Sequence, residues 1–341
     1  MAATAQEPSA ASLAPQLQAY QKLGRSMRWL PFLMFSQGGG VRSEVVNTDC
    51  YGFRWSTTQD GEIASVETPG EGPCGLTVGG STTFGIGATN DAGTLASALA
   101  ATTGRPWLNL GARGHGSTQE LLGFLMYADR LPPVAHVVLM SGVNDIYLQY
   151  AANRFDEQLG AFLYSDRFFE ALESVRQSSA LERLRALVVG NTEPADQRPL
   201  DELIAEREGR RGRTLALLRR NLSHWAALAA ARSARVTFAL QPTLPWMGKK
   251  PNREERVLLS TREAQDSRHE RLVTHTLSSE NHEWFCSAVE PMCAELGLGF
   301  VDLNAALRRR VGDDEWIFVD RAHLTDRGYS SCAASLAEFT E

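Results

Sequence analysis

From residue 75 onward, short apolar runs alternate with longer amphipathic stretches. Leu76 to Val78, Trp107 to Leu110, Val134 to Met140, Ala186 to Val189 and Val236 to Leu240 are too short for helices and rich in Val and Leu, the pattern of strands buried on both faces. Helical periodicity separates them at about 117–128, 152–178 and 208–232. Strands alternating with helices predict a mostly parallel central sheet covered on both faces, an α/β fold built as a three-layer α/β/α sandwich. Residues 191–211 and 243–268 are polar, charge-rich excursions from that pattern, read as an exposed lid or solvated helices. In such sheets ligands enter at the carboxyl ends of the strands, so the segment Pro242 to Trp246 is expected to wall a pocket.

The first 70 residues follow another rhythm. Residues 1–15, rich in Ala, Ser and Pro, are expected to be weakly ordered. Tyr20 to Phe35 predicts an amphipathic helix ended by Gly38, Gly39 and Gly40, and Tyr51 to Trp55 with Glu62 to Val66 predicts a hairpin around Thr58 to Gly61. The expected division is an extension over 1–70 and a main domain over 71–341.

Composition narrows the function classes. With 341 residues, 43% of them hydrophobic, the chain can bury a sizeable core. A formal charge of −6, with dispersed basic residues, argues against a nucleic-acid partner, and Arg308 to Arg310 reads as a solvated helix end. Five cysteines without a CxxC pair fit a reducing compartment, and neither a secretory leader nor a run of 18 apolar residues is expected, so the reading is cytoplasmic with no membrane span. Cys286 and Cys293 share a helix face but are not read as a metal site, and no metal or cofactor is expected.

The candidate chemistry starts at Gly75 to Gly85. Ser81 follows a strand and a glycine pair, where a scaffold exposes a hydroxyl rigidly and nearby N–H groups face an incoming anion. Near the other end, Asp320 precedes His323 by three residues, so the carboxylate can orient the imidazole while its other nitrogen faces a serine. Between them, Asn109 to Ser117 leaves one strand and Met140 to Asp145 leaves the next. A glycine N–H and an asparagine amide there, beside the Ser81 N–H, are candidate oxyanion donors. Each piece alone also makes an ordinary turn or cap; the ordered combination carries the argument. Phe84, Arg113, His115, Tyr147 and Trp246 are candidate substrate contacts, with core packing or loop roles as the competing reading.

Over roughly residues 74–339 the sequence resembles the SGNH/GDSL hydrolase family, with Ser81 in Gly79-Gly80-Ser81, Gly114 in the second block, Asn144 in Gly142-Val143-Asn144-Asp145, and Asp320 and His323 in the last. The resemblance implies a flavodoxin-like sandwich, Ser81 as nucleophile, His323 as general base and then acid, Asp320 as its orienter, and the Ser81 N–H, Gly114 N–H and Asn144 side chain as oxyanion donors. The family's usual Asp in the first block is Gly80 here. The expected activity is hydrolysis of a small acyl ester or thioester, with O-acyl transfer to a hydroxyl acceptor and a non-catalytic binding protein as alternatives.

Overall fold

The computed structural model of the chain describes residues 9–30, 32–151, 160–163, 168, 199–263 and 268–340. Two small antiparallel hairpins come first, β1 (Met27–Leu30) with β2 (Met34–Gln37) and β3 (Ser56–Thr57) with β4 (Ile63–Ala64). The main sheet contains β5 (Cys74–Gly79), β6 (Trp107–Gly111), β7 (Val134–Ser141), β8 (Arg235–Leu240) and β9 (Gly299–Asp302), parallel throughout, in the order β6-β5-β7-β8-β9. Because the chain steps from β5 to one neighbour and then crosses to the other, the order reverses at β5. That switch point opens a crevice at the carboxyl edge, directly beyond Gly79.

Both faces of the sheet are buried. On one, Leu76, Val78, Val137, Leu139 and Phe238 pack with Phe124, Leu218 and Trp225 from the helices Ser117–Tyr127 and Arg207–Arg232. On the other, Val138, Met140, Ala239 and Val301 pack with Leu95, Leu99 and Leu336 from the helices Leu95–Thr103 and Asp326–Thr340. This two-sided burial explains the unbroken apolar runs. Gly79 permits a close crossing at the sheet edge: a Cβ there would stand 2.1 Å from the Met140 carbonyl oxygen and 2.2 Å from Thr83 Oγ1.

Several expectations change. The helix expected over Tyr20 to Phe35 is confined to Leu17–Leu23 and is followed by the hairpin of β1 and β2. The sequence contains the reason, since a proline at position 31 disfavours a helix through that run. Within residues 1–15, the described part is ordered: Ser9 caps the helix Ala10–Leu13, and Ala14 packs with Leu258 and Val319. The Thr58 to Gly61 turn closes a hairpin of only two-residue strands, and Tyr51 to Trp55 forms no extended strand. The excursions contain helices where described, at Leu200–Ala205, the start of Arg207–Arg232, Leu244–Met247 and Arg253–Glu263. The expected strand at 186–189 and most of the expected helix at 152–178 lie outside the described residues; at 160–163 the chain is not helical. The strand β9 is an addition to the expected set.

Among the described residues of the first 70, Tyr20 and Arg54 pack beneath the turn that carries Ser81. Arg54 is fully buried and pairs with Asp91 at 2.8 Å, while its Nη1 donates to Tyr20 Oη at 2.9 Å and to the Gly85 carbonyl at 2.8 Å. A buried guanidinium persists because its donors are matched by a carboxylate and oxygen acceptors.

Candidate active site

β5 delivers the chain to Gly79, and the short helix Ser81–Phe84 begins at once. Ser81 Oγ lies 2.8 Å from His323 Nε2, and His323 Nδ1 lies 2.8 Å from Asp320 Oδ2. The carboxylate can only accept, so Nδ1 carries the proton and Nε2 accepts from the serine hydroxyl. Asp320 Oδ1 accepts the backbone N–H groups of Ala322 at 2.9 Å and His323 at 2.8 Å, which fixes the carboxylate from its own loop.

The apolar run Trp316 to Val319 leading to that loop is not a sheet strand; Phe318 makes only an isolated bridge to Leu324. The N–H groups of Ile317 and Phe318 instead donate to Glu255 Oε1, each at 3.1 Å. Glu255 is buried and salt-bridged to buried Lys249 through its other oxygen. A buried ion pair thus substitutes for a neighbouring strand and anchors the approach to Asp320.

Across the crevice, Asn144 sits in the first turn of the helix Val143–Ala151, and its Nδ2 donates to the His115 carbonyl at 2.7 Å. An amide nitrogen has two hydrogens, so this bond orients the group while leaving a second donor. Gly114 adopts the left-handed region at φ 71°, and its Cα faces Phe35 and Leu163; it does not line the cavity described below. Gly80 has an ordinary extended backbone, but a Cβ at that position would stand 2.6 Å from Asn144 Nδ2. The glycine therefore makes room for the Asn144 amide.

The next residue, Asp145, is buried and accepts Ser117 Oγ at 2.6 Å and Ser117 N at 3.1 Å, tying the Asn144 turn to the start of the helix Ser117–Tyr127. Asn221 Nδ2 donates to Ser117 Oγ at 2.9 Å. Burial, followed by the nearby Asp145 charge, raises Glu120 well above the usual carboxyl range, and its Oε1 accepts Ser141 Oγ at 2.7 Å.

Ser81, Asn144, Asp320 and His323 open onto one cavity of about 200 Å³. Val143, Tyr147, Leu259, Val273 and Leu277 supply apolar wall, and Gln241, His269, Glu270 and Arg321 supply polar groups. The helix Arg268–Thr276 closes one side through Tyr147 Oη to His269 Nδ1 at 2.9 Å and Arg321 Nη1 to Thr274 Oγ1 at 2.7 Å. Sequence reasoning missed this helix as part of the site, although Leu272, Val273 and Thr276 recur at helical spacing.

Of the five candidate substrate contacts, Tyr147 alone lines the cavity. His115 is buried against the N-terminal hairpin, donating through Nε2 to the Phe35 carbonyl at 2.8 Å; burial lowers its pKa to about 4, so the ring is neutral. Phe84 is fully buried beside Tyr20, and Trp246 is buried with its indole donating to the Ser278 carbonyl at 3.0 Å. Arg113 donates to the Tyr20 carbonyl at 3.3 Å. Apolar bulk and a position near a motif do not decide whether a side chain faces a pocket or the core.

A parallel sheet whose reversal point presents a serine in hydrogen-bonded series with a histidine and an aspartate from the loop before the last helix has the layout of a serine hydrolase. The chain belongs to the GDSL-like Lipase/Acylhydrolase family, whose model matches residues 77–330. It is similar to a solved lipolytic protein of the G-D-S-L family from Veillonella parvula, with 13% identity, 78% of this chain and 97% of that chain covered, and a TM-score of 0.41. The lipase/acylhydrolase from Enterococcus faecalis shows 14% identity, coverage of 79% and 95%, and a TM-score of 0.41. For Axe2, an acetylxylan esterase from Geobacillus stearothermophilus, the values are 12%, 80% and 95%, and 0.39. No curated protein matches the sequence. Membership rests on the family match along the chain. Among the described residues no helix is long and apolar enough to cross a membrane.

Proposed function

We propose that this hydrolase is a serine esterase that cleaves a small acyl ester, on a carbohydrate or natural-product alcohol, through an acyl-enzyme. The observation that carries the reading is the unbroken series from Ser81 through His323 to Asp320, with both links at 2.8 Å and the serine opening onto a partly apolar cavity. As Ser81 Oγ attacks the ester carbonyl, His323 Nε2 takes its proton, and Asp320 stabilises the imidazolium that forms. The Ser81 N–H and Asn144 amide serve the developing oxyanion, with the Gly114 N–H as the third donor expected from the family resemblance. His323 then returns the proton to the departing alcohol, and water, activated by the same imidazole, releases the acid. The apolar wall of Val143, Tyr147, Leu259, Val273 and Leu277 supports an acyl group as the part of the substrate held there. Five free cysteines support a reducing, cytoplasmic setting.

Incubation with a serine-directed phosphonate, followed by peptide mass spectrometry, should find one adduct, at Ser81, and none on Ser81→Ala. A folded protein that takes no adduct at Ser81 would overturn the reading in favour of a binding protein. A panel of acetylated sugars, short-chain esters and thioesters, with and without hydroxyl acceptors, should release free acid; acyl-acceptor product in place of acid would reassign the chain as an O-acyltransferase.

A further inference from the structure

Away from Ser81, a second cluster joins three kinds of donor atom. His282 and Cys286 stand four residues apart on the helix Ser279–Glu295, and Asp302 ends β9. His282 Nε2 lies 3.1 Å from Asp302 Oδ2, and ligand atoms from His282, Cys286 and Asp302 all lie within 4.8 Å of one another. The carboxylate is held in place by its own neighbour, because Asp302 Oδ1 accepts Asn304 N at 2.9 Å and Asn304 Nδ2 at 3.0 Å, which turns Oδ2 toward His282. The Trp246 ring stacks on His282 at 5.3 Å and fixes the imidazole plane. Support of this kind, with outer hydrogen bonds and packing orienting the donor atoms, distinguishes a built ligand set from chance proximity.

Two of the three, Cys286 and Asp302, line a cleft of about 440 Å³ together with Glu290, Arg309 and Arg310. Glu290 continues the face that carries His282 and Cys286, while Arg310 reaches Glu338 at 3.5 Å.

We propose that His282 Nε2, Cys286 Sγ and Asp302 Oδ2 form a zinc site whose fourth position opens to water from this cleft. One nitrogen, one sulfur and one oxygen suit zinc, whereas calcium and magnesium require oxygen throughout. Tetrahedral zinc with ordinary bond lengths holds its donor atoms roughly 3.3–3.7 Å apart, close to the separation of the histidine and aspartate atoms. A shift of roughly an ångström brings the cysteine sulfur into the same range. Zinc would take Cys286 as the thiolate and His282 through Nε2, with Nδ1 carrying the ring proton.

The test uses the full chain stripped of metal with a chelator. Zn²⁺ is titrated against a chromophoric competitor, and Cd²⁺ is titrated in parallel while the thiolate-to-cadmium absorption is read. The expected result is one ion per chain with a sulfur-to-cadmium band. Outer-sphere partners alone are worth roughly 10–100-fold in affinity, so His282→Gln and Cys286→Ser should each weaken binding by at least tenfold. Cys286→Ser should also abolish the band, while Cys50→Ser, at an exposed site outside the cluster, leaves both unchanged. Should either cluster variant fail to fold, protection is read in the wild type: Zn²⁺ should shield Cys286, and not Cys50, from alkylation followed by mass spectrometry. Absence of stoichiometric uptake, uptake indifferent to Cys286→Ser, or an unprotected Cys286 would each overturn the site.

Discussion

The two walls that flank Ser81 are held by different kinds of interaction. On one side, Asp320 and His323 are three residues apart, and the aspartate is fixed by N–H groups of its own loop. On the other, Asn144 depends on the His115 carbonyl, His115 on the Phe35 carbonyl 80 residues earlier, and Asp145 on Ser117, itself held by Asn221. The first wall is local and readable as a motif. The second is assembled from distant parts of the chain, so its precision depends on the N-terminal hairpin and the buried polar cluster remaining docked.

The sharpest way to break the local wall is Asp320→Asn, which keeps the shape but donates where the carboxylate accepted, so the imidazole is held in the wrong tautomer. By analogy with the serine-protease triad, kcat should fall by roughly 10⁴. Steady-state kinetics on the best ester from the panel, with circular dichroism to verify folding, measures it. A loss of tenfold or less would show that Asp320 does not orient the base.

Asn144→Ala tests the long-range wall at its tip. Removing one oxyanion donor costs roughly 10²–10³ in kcat, about 3–4 kcal/mol, with KM little changed. A change confined to KM would mean that Asn144 binds the ground state instead.

His115 gives the same wall a pH signature. In the unfolded chain the ring protonates near 6.5, but burial lowers its folded pKa to about 4. Its contribution is therefore full above the unfolded value and is lost as pH falls through that window, amounting to about 3 kcal/mol. His115→Gln, which retains an N–H donor for the Phe35 carbonyl, should show a shallower stability loss between about pH 6.5 and 4 in denaturant titrations. The comparison cancels other buried groups, including His136, whose pKa burial also lowers to about 4. Equal slopes would place no titration at His115.

The smallest expected effect is at Ser117. Ser117→Ala removes the short bond to buried Asp145 but leaves the backbone N–H in place, so stability should fall by about 1–2 kcal/mol. Because Asp145 adjoins Asn144, kcat should fall while KM holds. Lost stability with unchanged kcat would uncouple this cluster from the crevice.

Much of the fold was legible because two-sided burial writes itself into sequence. Leu76 to Val78, Val134 to Met140 and Val236 to Leu240 read as unbroken apolar runs, and each lies in a strand of the main sheet. β9 escaped because Gly299, Phe300, Val301 and Asp302 form a short stretch with a glycine and an acid at its ends. The run Trp316 to Val319 is the opposite case: it is apolar enough for a strand, but Glu255, about 60 residues earlier in sequence, accepts the Ile317 and Phe318 N–H groups.

Sequence alone determined the pairing of Asp320 with His323 and the placement of Ser81 just past a strand, because both depend on backbone geometry over a few residues. Tertiary structure decided which side chains meet across the chain: it set Tyr147 and the helix Arg268–Thr276 around the cavity and turned His115, Phe84 and Trp246 away from it. It also brought Asp302 to His282 and Cys286. Those meetings depend on strand order and helix packing, and an apolar or ionisable residue has the same local signature whether it faces the core or a pocket.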